Sequence, residues 1–171
     1  DLSVYQDTFL QAGYSYHKHL NYIVALPADP DSALQLLNSS KRRQVRKSLN
    51  NGARIITPRG IEDVKAFYVI LEKLYREKVK KPLPDWRFFE NFYQNPELGT
   101  YLLVLYEDQV IGGMMCPIYR DTLYEWYVCG EEGRYAQIYP SVLATYAALK
   151  YGAENGYGYF GIRRHLRRVH T

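Results

Sequence analysis

GTYLLVLYEDQVIGGMMCPIYRDTLYEWYVCG (99–130) contains three β-type runs, Thr100–Tyr106, Val110–Tyr119 and Thr122–Cys129, separated by short polar turns. Connections that short impose antiparallel pairing. Downstream, SVLATYAALKYGAENG (141–156) reads as a helix, with Pro140 near its start and Asn155-Gly156 at its end. YGYFGI (157–162) then reads as a last strand. A helix between two strands is the crossover that makes them parallel, so Thr122–Cys129 and Tyr157–Ile162 are expected to pair in parallel. The fold class that follows is α/β, a mixed sheet with helices on both faces.

The upstream chain supplies the remaining elements. YSYHKHLNYIVAL (14–26) and ARIIT (53–57) are β-rich. Asp29-Pro30-Asp31 opens a helical stretch that breaks near Asn38 and resumes through the basic segment. GIEDVKAFYVILEKLYREKVKK (60–81) places Ile61, Val64, Phe67, Tyr68, Leu71, Leu74 and Tyr75 on one helical face. Acids at its start and lysines at its end suit the helix dipole. Pro82 and Pro84 break the chain, and Asp85 caps a further helix, WRFFENFYQN (86–95). One domain over residues 1–162 is expected, followed by a basic tail, 163–171. Asp1 opens the chain amid an amphipathic segment (Tyr5, Phe9, Ala12), as expected of a fragment.

The 171 residues are 47% hydrophobic, enough for a packed core and incompatible with disorder. The formal charge is +4, but the last nine residues, RRHLRRVHT, hold four arginines and no acid. Without them, basic and acidic groups balance. The tail is therefore expected to dominate any salt-sensitive RNA retention. Cys116 and Cys129 form no disulfide framework, and His17, His19, His165 and His170 lack metal-ligand spacing, so no metal is expected. No signal peptide or membrane-length apolar run is visible, and a reducing cytoplasm fits. Most of the 18 tyrosines, among them Tyr68, Tyr75 and Tyr146, fall at core-period positions.

SSKRRQVRKSLNNGARI (39–55) carries five cations between Lys41 and Lys47. Ser39 or Ser40 suits the N-cap and Gly52 the stop. Helical spacing turns Val45 and Leu49 to one face and Arg43, Arg46, Lys47 and Asn50 to the other. Arginine pairs well with phosphate, so Arg43, Arg46 and Lys47 are candidates for a small anionic acceptor; a solvated charged face is the alternative.

The element order from Ala53 to Ile162 resembles the GNAT acyltransferase core up to its fifth strand. KRRQVRKSLNNGARI (41–55), GTYLLVLYEDQVIGGMMC (99–116) and SVLATYAALKYGAENGYGYF (141–160) resemble more specifically its Fem-type branch, the bacterial peptidoglycan aminoacyltransferases and their relatives. The resemblance spans roughly residues 20–160. It implies N-acyl transfer to an amine, often with two such domains in tandem, and an aminoacyl-tRNA donor. Related proteins place the basic helix near a nucleotide- or lipid-linked sugar acceptor.

CoA-dependent relatives carry a glycine-containing loop at a helix N-terminus that cradles pyrophosphate. The matching stretch here, RYAQIY (134–139), has Arg134 in place but Gln137 and Tyr139 where small residues belong. No tightly bound cofactor is expected, and acetyl-CoA is disfavoured as donor. The ending past Phe160 also departs from the family. It implies a sheet without its final hairpin and an open edge for self-association.

Acylating an amine needs a base. Alternation along TLYEWYVCG (122–130) sets Leu123, Glu125, Tyr127 and Cys129 on one face, with Glu125 the candidate base or amine-orienting group. Tyr127, Arg134 and Tyr139 complete the substrate-binding candidates. A solvated glutamate is the other reading of Glu125. Cys129 lacks a histidine partner in the sequence, which argues against a nucleophile. A GNAT-shaped scaffold without catalysis and an RNA-associated protein stand as alternatives to the enzyme.

Overall fold

The computed structural model describes residues 5–15 and 21–163. β3 (Gly99–Tyr106) and β4 (Gln109–Tyr119) join through Glu107 and Asp108, at φ 50° and 59°. Two consecutive left-handed residues make the turn whose twist suits a hairpin. β4 turns at Arg120, φ 54°, into β5 (Thr122–Glu125), and β6 (Tyr127–Gly130) follows after Trp126. α5 (Pro140–Glu154) delivers β7 (Tyr159–Arg163), which pairs parallel to β5 as the crossover requires. β2 (Arg54–Ile56) pairs antiparallel with β3. The strand order is β1-β7-β5-β4-β3-β2, with β6 also on β4.

The expected open edge beside the last strand is not there. β1 (Asn21–Ala25) lies antiparallel on β7, with Val24 opposite Phe160 and Asn21 opposite Arg163. The strand read from 14–26 thus covers it, and β1 and β2 are the outer strands. Arg163, assigned above to the tail, ends β7. Residues 164–171 of the tail lie outside the described residues, as do His17 and His19.

Each sheet face has its own apolar core. On one, α2 (Ser39–Asn50), α5 and a 3-10 helix (Pro30–Leu36) cover Leu102, Val104, Met114, Cys116, Leu123 and Phe160. On the other, α3 (Ile61–Leu74) and α4 (Trp86–Gln94) cover Tyr101, Leu103, Leu105, Met115 and Cys129. β3 alternates between the two cores and is buried on both sides, which accounts for its unbroken apolar run. Short α1 (Gln6–Gln11) is exposed throughout.

Local signals set most helix ends. Asp85 caps α4, accepting the Phe88 N–H at 3.4 Å. Asp63, buried in the first turn of α3, accepts from the Arg59 N–H, Nε and Nη2 at 2.8–2.9 Å. α3 stops at Leu74 and continues as one π turn, Tyr75–Val79, closed by Lys80 at φ 54°. Two expectations for α2 change. Asn38, rather than a serine, caps it, accepting the Lys41 N–H at 2.9 Å. Leu49 is exposed, and Ser48 is buried in its place. The Ser48 hydroxyl lies against the Ile138 and Gln44 carbonyls, so the loop before α5 selects a small polar residue there.

Candidate active site

Thr122–Cys129, read above as one strand, is two. Ile118 pairs with Leu123, but Met115 pairs with Tyr127, so two β4 residues between them face three. This is a β-bulge, and the Trp126 N–H also reaches the Met115 carbonyl at 3.2 Å. Pro117, which has no N–H for the ladder, stands opposite it. The extra residue reverses the alternation. Leu123 faces the α5 core, whereas Tyr127 and Cys129 face the α3–α4 core. The single face expected for Leu123, Glu125, Tyr127 and Cys129 is therefore corrected.

The bulge also ends the β5–β7 ladder. Glu125, opposite Ile162, is the last β5 residue paired with β7, and among the described residues β6 pairs only with β4. Cavities open at this point. One of roughly 300 Å³ is lined by Asn21, Pro117, Tyr124, Glu125, Trp126 and Ile162. Another of roughly 270 Å³ is lined by Leu37, Lys41, Glu125, Val128, Ser141 and Thr145. Glu125 belongs to both. Its carboxyl makes no hydrogen bond or ion pair among the described residues, and burial pushes its pKa up. A half-buried carboxyl without a partner is costly unless a ligand or proton serves it.

The other candidates lie apart from Glu125. Tyr127 stacks within the aromatic core, 5.3 Å from Phe89 and 6.0 Å from Tyr75 between ring centroids. Arg43 and Arg46 are exposed on α2 with no acidic partner. Lys47 donates to Gln137 and sits 5.9 Å from the Tyr139 ring, so these three residues do come together. Tyr139 is the N-cap of α5, at φ 48°. Arg134 lies over the Tyr135 ring and lines a further cavity with Lys73 and Lys78. Burial pushes the Cys116 and Cys129 thiols well up, leaving them inert as nucleophiles. Among the described residues no group of acids, histidines or cysteines could hold a metal, and no helix is long and apolar enough to cross a membrane.

Two site residues escaped the sequence reading. Lys41 shares a cavity with Glu125, yet nothing in the run KRRQVRK marks it among its neighbours. Glu132 accepts the Ser141 N–H at 3.0 Å and so occupies the amide end of α5 with a carboxylate. Gly130 makes room for it, since a Cβ there would come within 2.7 Å of Glu132 Oε1.

Against known proteins, this architecture has clear counterparts. The fold is similar to that of FemX (TM-score 0.73, 12% identity), covering 99% of this chain and 62% of that one. It is similar to L-PGS from Bacillus licheniformis (TM-score 0.61, 16% identity), covering 98% and 54%. It is also similar to an aminoglycoside acetyltransferase from an uncultured soil metagenomic sample (TM-score 0.50, 13% identity), covering 71% and 82%. The chain thus spans little more than half the length of the first two. No curated protein matches it in sequence. The model of the acetyltransferase (GNAT) domain matches residues 39–164. This chain belongs to the acetyltransferase (GNAT) domain family.

Proposed function

We propose that this domain is a Fem-like N-acyltransferase that moves an aminoacyl group from a tRNA ester to an amine, with Glu125 accepting the amine proton. The observation that carries this reading is Glu125, half-buried at the bulge, its carboxyl without a partner among the described residues, and lining two cavities. Two cavities meeting at one acidic residue suit a reaction joining a donor and an acceptor. The similarity to FemX supports the Fem-like choice. An aminoacyl-tRNA donor would place the protein in the cytoplasm.

The donor argument rests on α5. A pyrophosphate at its N-terminus would meet the Glu132 carboxylate, already on the Ser141 amide, and would find no N–H on Pro140. Tyr139 and the Lys47–Gln137 contact fill the adjoining space. These residues do not fit CoA. Arg43 and Arg46, without acidic partners, are the proposed contacts for an anionic acceptor such as a phosphate-linked sugar, with Lys47 and Tyr139 beside them.

The test is transfer itself. The domain is incubated with charged tRNA carrying labelled amino acids, or with acetyl-CoA, and a pool of phosphate-linked amino-sugar peptides. Label passing from tRNA to an amine, and lost in Glu125→Gln, is the expected result. Transfer from acetyl-CoA alone would overturn the donor, and unchanged transfer in Glu125→Gln would overturn the base.

A further inference from the structure

Lys41 occupies a position that helix stability does not explain. It is the third residue of α2, its N–H bound to the Asn38 cap. That position favours Glu or Gln, whose side chains can bond back to the cap, and a cation there opposes the positive end of the helix dipole. Its neighbour Arg42 has a structural task, donating to the Leu37 carbonyl at 2.8 Å and the Gln35 carbonyl at 3.5 Å. The Lys41 ammonium has no hydrogen-bond, ion-pair or aromatic partner among the described residues. The residue is exposed and lines, with Glu125, the cavity of roughly 270 Å³.

That cavity is chemically sparse. Leu37, Val128 and Val142 make apolar walls. The Ser141 N–H is taken by Glu132, and the Thr145 hydroxyl donates to the Ser141 carbonyl at 3.2 Å. Lys41 is its one cation and Glu125 its one acid among the lining residues. An acid and a cation lining one cavity with apolar walls supply the two charges that acyl transfer to an amine requires, a proton acceptor and a stabiliser for negative oxygen.

We propose that Lys41 is a further catalytic residue, its ammonium facing the carbonyl oxygen of the acyl group and holding the charge that develops there. The proposal rests on the acyl-transfer reading of the same site. The amine lone pair attacks the carbonyl carbon, and the C=O π pair moves onto the oxygen beside Lys41. The amine proton passes to the Glu125 carboxylate. The C=O bond re-forms as the ester C–O bond breaks, its electron pair leaving with the donor oxygen. That oxygen takes the proton from Glu125, giving an amide and an alcohol.

A tetrahedral oxyanion mimic tests this without turnover. N-butyl methylphosphonamidate carries a monoanionic tetrahedral phosphorus, and N-butylacetamide is the neutral planar counterpart. Binding of both is measured by calorimetry for the wild type and for Lys41→Met, Lys41→Arg and Arg87→Met. The wild type is expected to prefer the phosphonamidate at least tenfold. Lys41→Met should lose most of that preference, Lys41→Arg should keep most of it, and Arg87→Met, an exposed cation on α4, should match the wild type. Equal binding of the two probes by the wild type, or an undiminished preference in Lys41→Met, would overturn the proposal. The assay contains no donor, so it can fail while transfer is observed, and transfer can fail while it succeeds.

Discussion

Met115 faces two residues of the neighbouring strand at once: it pairs with Tyr127, and its carbonyl accepts the Trp126 N–H at 3.2 Å. That doubled contact is what separates β5 from β6 and leaves Glu125 at the end of the β7 ladder. The catalytic candidate therefore stands at a break in the sheet, where backbone pairing does not fill the space around its carboxyl.

Glu125 should govern both rate and pH response. Glu125→Gln removes the proton acceptor and should lower transfer about 10²–10⁴-fold. Burial raises its pKa, so the acid limb of the rate profile should lie above the 4.5 of an ordinary glutamate. The stability effect has a definite sign. In the window between the ordinary and the raised value the folded protein binds the extra proton, so stability falls as pH rises through it. Chemical denaturation against pH should show that slope in the wild type and a flatter line in Glu125→Gln. Equal slopes would mean the carboxyl is solvated.

Acetyl-CoA should not bind usefully. Glu132 holds the Ser141 amide, and Tyr139 crowds the approach. Calorimetric titration is expected to give no heat at concentrations where a low-micromolar complex, roughly −7 to −8 kcal/mol, would saturate. A complex of that strength would move the protein to the CoA-dependent members of its family.

Charge reversal at Arg46 should separate binding from folding. The side chain is exposed and without an acidic partner, so Arg46→Glu should change stability by no more than about 0.5 kcal/mol. Affinity for phosphate-bearing ligands should drop in the same variant. An unfolded Arg46→Glu protein would make the residue structural and end its candidacy as a binding group.

Asp63 gives the opposite pH signature to Glu125. Hydrogen bonds from Arg59 hold its carboxyl below the usual 3.8, so its contribution is present above that value and lost as pH falls through the lowered one. Asp63→Ala removes hydrogen bonds from the Arg59 N–H and from a guanidinium that water also reaches, and should cost about 1 kcal/mol. Urea unfolding at pH 7 measures the cost, and a value near zero would show that Arg59 finds other partners.

Elements whose signals are local could be read directly. The β3–β4 hairpin, the α5 crossover and the Asp85 cap each depend on residues within a few positions of one another, where turn chemistry and periodicity act. The same holds for the exposure of Arg43 and Arg46. The bulge was not legible in this way, because Thr122–Cys129 alternates as an unbroken strand. Pro117 was its one local trace, a proline inside a strand run. The extra residue is counted only against β4, and it sends Tyr127 to the opposite face from the one alternation predicts. Ser48 displaced Leu49 from the interior because its hydroxyl meets the Ile138 carbonyl, 90 residues away in sequence. Lys41 and Glu132 follow the same logic. One is a cation among like cations and the other an acid in a loop, and each acquires a role only from the distant groups that the folded sheet and α5 set beside it. Short-range backbone preferences are written into the neighbouring residues, whereas burial, charge pairing and cavity shape are set by surfaces that meet only when the chain is packed.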